Sequence, residues 1–151
     1  MTATPEYDRF LEEAARHHAG REAAFARNKT ALFAAMAEAG LTLVEVEFDG
    51  AGDSGAIEGV RAFAAGDAEA VVPAIPVTLS PAAYDPDEAE RSLNLAEAVQ
   101  EVAWDALALR CGGWENNEGG WGTVRFDAPA EAVTLDLHER VIESVHSFFA
   151  L

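Results

Sequence analysis

Apolar residues recur at helical spacing over residues 5–39, where Phe10 and Ala14, then Phe25, Leu32, Phe33 and Met36, punctuate a stretch rich in Ala, Glu and Arg. The spacing predicts a long helix that Gly20 divides into two and Gly40 ends. The period then changes. Over 41–48, Val44, Val46 and Phe48 alternate with Glu45 and Glu47, the pattern of a half-buried strand. That strand runs into a glycine-rich stretch, 49–55, which reads as a loop. Residues 56–65 fit either a strand or a short helix, with the strand preferred. Four prolines between 66 and 86 mark an irregular connection with one extended edge segment at 75–79.

A second long helix is expected to reach Arg110, capped by Asp85 or Asp87, with Leu95, Val99, Val102, Ala106 and Leu109 as its buried stripe. Cys111 and two glycines stop it. The alternating segments 123–127 and 132–137 flank a short turn and predict a hairpin, and the amphipathic tail 138–151 is expected to be helical at its end. The order of elements predicts one α+β domain spanning 1–151, a mainly antiparallel sheet with long helices packed on one face.

Composition narrows the class. With 27 acidic against 10 basic side chains the formal charge is −17, which disfavours direct nucleic-acid binding and favours solubility or a basic protein partner. A lone Cys111 and the lack of a CxxC pair exclude an intramolecular disulfide and imply a reducing, cytoplasmic setting. The first residues do not resemble a signal peptide, and no apolar run is long enough to span a bilayer. No cofactor is expected, and a homodimer is left open.

Candidate chemistry gathers in two segments. If strand 41–48 pairs antiparallel with 123–127, the 49–55 stretch arrives at the same sheet end as residues 114–121 and 136–139. The resulting candidate binding set is Asp49, Asp53, Glu58, Trp114, Glu115, Asn116, Asn117, Glu118, Trp121, Asp136 and His138, with Glu139 adjacent. Such oxygen ligands suit a hard cation, yet an EF-hand counted from Asp49 has Ser54 at its sixth position and Val60 at its twelfth, where Gly and Glu belong. The GxSxG, Walker A and GxGxxG patterns are also missing. The structural reading of the same segments is that Asp and Asn fold back onto amides, glycines take positive φ, and the two Trp cover an apolar edge.

DGAGDSGAIE, followed downstream by WENNEGGWGTVRFD and TLDLHER, resembles the DUF6878 family of uncharacterised bacterial and mobile-element proteins. The resemblance covers 41–59 and 114–140 and implies a relative without implying an activity. The expected function is therefore that of a small acidic accessory or binding protein of a mobile element. The alternative is a metal-dependent enzyme or cation-binding protein using the 49–55 and 115–118 segments.

Overall fold

The computed structural model describes residues 5–52, 54–81, 89–116 and 118–151. Helix α1 (Pro5–Glu38) is continuous through Gly20, contrary to the expected break. An interior glycine costs a helix only about 1 kcal/mol relative to alanine, and the Ala- and Glu-rich flanks support the turn. Burial begins at Ala24 and continues through Asn28, Leu32, Phe33, Ala35 and Met36, whereas residues 5–20 are exposed. Gly40, at φ +72°, closes the helix in the left-handed conformation that glycine adopts without strain.

Strands β1 (Leu41–Ala51) and β2 (Ser54–Ala64) form a tight hairpin. Most of the 49–55 stretch is thus paired strand rather than loop, with Gly50 opposite Gly55 and Ala51 opposite Ser54. Glycine content suggested a loop; here the missing side chains make room for a tryptophan, described below. The preferred strand reading of 56–65 holds. A register shift, with Glu47 opposite Gly59 and Phe48 opposite Ile57, makes Glu58 the extra residue of a β-bulge.

After β3 (Glu69–Ala70), β4 (Pro76–Leu79) occupies the expected extended segment and pairs antiparallel with β5 (Arg91–Asn94). Helix α2 (Leu95–Arg110) therefore starts later than the sequence suggests: the proposed caps Asp85 and Asp87 lie outside the described residues, and Asn94 caps the helix by accepting from the Glu97 amide at 2.9 Å. Pairing with β4 holds 91–94 extended until that cap turns the chain. The buried stripe includes Leu95, Val99, Val102 and Ala106 as expected, but Leu107 is fully buried in the role assigned to Leu109.

Strands β6 (Gly120–Asp127) and β7 (Ala132–Glu139) form the expected hairpin. The five-stranded sheet has the order β3-β2-β1-β6-β7 with every neighbouring pair antiparallel. Both helices and the β4–β5 ribbon pack on one face, over Val44, Val46, Phe48, Ala62, Val124 and Phe126. The fold is α+β with a mainly antiparallel sheet, and strand alternation directs Glu45, Glu47 and Asp49 to the opposite, open face. Asn28, buried on α1, pins the ribbon: its Nδ2 donates to the Ser80 carbonyl at 3.0 Å and its Oδ1 accepts from the Ser80 amide at 2.7 Å.

Residues 140–151 are exposed and form neither helix nor strand, which corrects the expected terminal helix. An amphipathic segment of this length is marginal as a helix unless a packed face holds it.

Candidate functional site

The β1–β6 and β6–β7 registers place Asp49, Trp121 and His138 in one row across three strands. Directly opposed residues share a face, so this row lies on the open side with Glu47, Thr123 and Asp136 in the next. The Trp121 indole stacks on the His138 imidazole with ring centroids 4.1 Å apart and planes 9° from parallel. His138 Nε2 is 3.3 Å from Asp136 Oδ1.

Arg140 closes this end of the sheet. One guanidinium nitrogen lies 3.0 Å from both Asp49 carboxylate oxygens, and the other donates to the Gly50 and Gly120 carbonyls at 3.1 and 3.3 Å. Its backbone N–H also donates to Gly119 O at 2.9 Å. Asp49 is thus committed to an internal cation. Sequence reading did not single out Arg140 as a site residue; its signals are its place directly after the last strand and at the end of the TLDLHER motif, while its acidic partner is 91 positions away.

Behind the hairpin, Trp114 lies on the core side. It is buried, packs edge-on against Phe48 at 5.0 Å and stacks near Trp104 at 6.2 Å. Its ring rests on the facing pair Gly50 and Gly55, where an added Cβ would come within 2.7 and 2.6 Å of it. Gly119, at φ +74°, brings the 114–121 segment against the Gly50 carbonyl and Ala51, too close for any side chain. The two motif segments are therefore one packed unit, with the hairpin tip as floor and the tryptophan loop as cover.

The sequence-derived candidates divide accordingly. Asp49, Glu58 and Trp121 line one shallow depression of about 430 Å3 with Glu47, Thr123 and Arg140. Asp136 and His138 lie on the same open face. Trp114 faces the core, while Glu115, Asn116 and Glu118 belong to the turns after α2, where the Asn116 amide bonds to Gly113 O and its carbonyl accepts from Gly119. Glu139 acts on the helix side: together with burial, the larger cause, it pushes the Cys111 thiol pKa up, away from thiolate reactivity. Asp53 and Asn117 lie outside the described residues. Among the described residues, no group of three or more His, Cys, Asp or Glu side chains is positioned to hold a metal ion.

The fold and this paired-loop unit define a small α+β protein with an open antiparallel sheet face. The chain belongs to DUF6878, a family of unknown function, whose model matches residues 24–151. That match begins where burial begins on α1, at Ala24, and includes both motif segments. No curated protein and no solved structure matches the chain. Among the described residues, no helix is long and apolar enough to cross a membrane.

Proposed function

We propose that this is a binding protein whose open sheet face receives a basic side chain, Arg or Lys, from a protein partner. The observation that carries the reading is the depression in which Glu47 and Glu58 sit beside Trp121, which is 46 % exposed. Neither glutamate has an ion-pair partner among the described residues, whereas Glu45 is matched by Arg125 at 2.9 Å and Asp49 by Arg140. Two carboxylates without a close ion pair, of which Glu47 also acts on Arg61 at longer range, and an aromatic ring suit a guanidinium or ammonium group, and the cation that lines the same depression, Arg140, is already paired with Asp49. The overall charge of −17 adds long-range attraction for a basic partner. In this reading the protein works in the cytoplasm as an accessory of a mobile element, supported by the lone Cys111 and the family resemblance.

Titration with an Arg-rich peptide, a Lys-rich peptide and a neutral peptide of equal length tests the reading, followed by NMR at the Trp121 indole N–H. Both basic peptides are expected to move that resonance and the neutral one to leave it still. Raising salt from about 50 to 300 mM weakens binding several-fold by screening. The Glu47→Gln/Glu58→Gln variant is expected to bind about tenfold more weakly, equivalent to ~1.4 kcal/mol. Basic-peptide binding that leaves the Trp121 indole unmoved, or that ignores the double variant, rejects the proposal.

A further inference from the structure

The last strand of the sheet and the chain beyond it form a second surface, independent of the charged depression. Among the described residues β7 pairs only with β6, so its outer edge is free. It is eight residues long and regular in register, without proline, lysine or bulge, and of the features that block edge-to-edge pairing it carries only the charges of Asp136 and Glu139. The tail that follows is apolar and open to solvent: Val145 is 91 %, Phe148 85 % and Phe149 77 % exposed, with Val141, Ile142 and Leu151 also exposed. In a chain with so many acids, residues 141–151 contain only Glu143.

The complementary feature lies at the other end of the sheet. A groove of about 840 Å3 runs between α1, the start of β1 and the β6–β7 turn, lined by Phe33, Ala37, Leu41 and Pro129, with Lys29 and Glu131 as its charged residues. The β6–β7 register puts Ala132 opposite Asp127 at the groove end and Glu139 opposite Gly120 at the tail end. These ends are ~24 Å apart along an eight-residue strand. To reach its own groove the tail would need to reverse immediately after Arg140, which is held by Gly119, Gly120, Gly50 and Asp49, and spend roughly seven residues retracing the length of β7 before a side chain could enter.

We infer that the occupant of this groove is the tail of a second copy of the same chain, in a two-fold dimer joined through antiparallel β7 edges. Antiparallel pairing about a two-fold axis brings each tail end beside the groove end of the other copy, so the tail enters without reversing. Opposed residues must share a face, which restricts the register. Centring on Leu135 opposes it to its own counterpart, sets Val133 against Leu137 and places Asp136 across from Thr134. Centring one residue on would set Asp136 against Asp136 in the middle of the ladder, whereas the Leu135 register keeps its like-charge pairs, Glu139 with the partner's Glu131, at the strand ends where solvent screens them. Of the six exposed apolar tail side chains, the two Phe bury roughly 150 Å2 each and the four aliphatic ones roughly 80 Å2 each, which gives ~600 Å2 per chain and ~1,200 Å2 for the exchanged pair, at the lower end of stable specific interfaces.

Sedimentation equilibrium of the full chain at about 50 µM tests this, a concentration that populates dimers of micromolar affinity. The expected mass is twice the 16.0 kDa of one chain. Association tightens as salt rises from ~50 to ~300 mM because two strongly acidic copies repel less, a trend opposite to basic-peptide binding, so either proposal fails without the other. Phe148→Ser with Phe149→Ser weakens association at least about tenfold with an unchanged far-UV spectrum, as expected for side chains exposed in the monomer. With Cys111→Ser as background, Leu135→Cys cross-links to its counterpart on oxidation and Asp136→Cys does not. A chain that stays monomeric under these conditions, including one whose tail amides are protected against its own surface, overturns the inference. So does a dimer indifferent to the tail variant or one that cross-links through position 136 and not 135.

Discussion

Gly50 and Gly55 show why the hairpin motif tolerates so little chemistry at its tip. Each faces the other across the ladder and each lies under Trp114, so a single methyl on either would occupy space the indole already fills. Gly55→Ala is expected to destabilise the protein by about 1–3 kcal/mol, the usual cost of overpacking a close contact. Its φ is not in the left-handed region, so strain of that kind does not enter. Thermal melts check this, and combining Gly55→Ala with Trp114→Phe gives the decisive comparison: the smaller ring makes room, so the methyl should cost less in that background. Equal costs in both backgrounds would show that the indole contact is not the cause. Positive φ explains other glycines. Of Gly52, Gly55, Gly119 and Gly120, the left-handed positions are Gly52 and Gly119, which accords with loop shape being set by some glycines and close approach by others.

Elements whose amphipathic pattern was decided by local burial were legible from the chain. Val44, Val46 and Phe48 announced β1, and the two alternating runs around residues 128–131 announced the β6–β7 hairpin. The misses have a common physical cause. β5 is extended because β4 pairs with it, the tip of the β1–β2 hairpin is extended because Trp114 covers paired glycines, and residues 140–151 lack a described face to hold them in a helix. None of those partners is near in sequence. The candidate site was legible to the same degree: strand pairing predicted that Asp49, Trp121 and His138 share one end, while Arg140 and the inward turn of Trp114 depend on distant contacts. Helix α2 also carries a titratable group that favours protonation. Desolvation, reinforced by Glu101, raises the pKa of Asp105 against the opposing influence of Arg21 and Arg91. A carboxyl whose folded pKa lies above its unfolded value stabilises fully only below the unfolded value, 3.8, and that contribution is lost as pH rises through the folded value. Asp105→Asn is therefore expected to raise the melting temperature at pH 7, with the advantage shrinking as pH falls toward 4. An advantage that stays constant over that interval would indicate that the effect is not titration.

Charge acts on the protein as a body as well as at single pairs. Its net −17 opposes compaction, because like charges are closer in the folded state than in the expanded chain. Working in the other direction are ion pairs such as Arg140 with Asp49, Arg125 with Glu45 and Arg61 with Glu69, all with an exposed arginine. Exposed pairs of this kind contribute about 0–1 kcal/mol each and are themselves screened by salt. The two effects therefore predict opposite responses. If the local pairs dominated, added sodium chloride would lower stability; if the excess of acids dominates, screening relieves repulsion and stability rises. With 27 acids against 10 basic side chains, most carboxylates have no cation to pair with, and repulsion is expected to prevail. The measurement is a urea titration of the Phe148→Ser/Phe149→Ser variant, kept dilute so that association does not contribute. Between about 20 and 300 mM sodium chloride, where the Debye length shortens from roughly 20 to 6 Å, the midpoint should move upward with little change in slope. A midpoint that falls over this range would assign the stability to the ion pairs, and Arg140→Gln should then remove only its share of the salt response, with Arg125 and Arg61 supplying the rest.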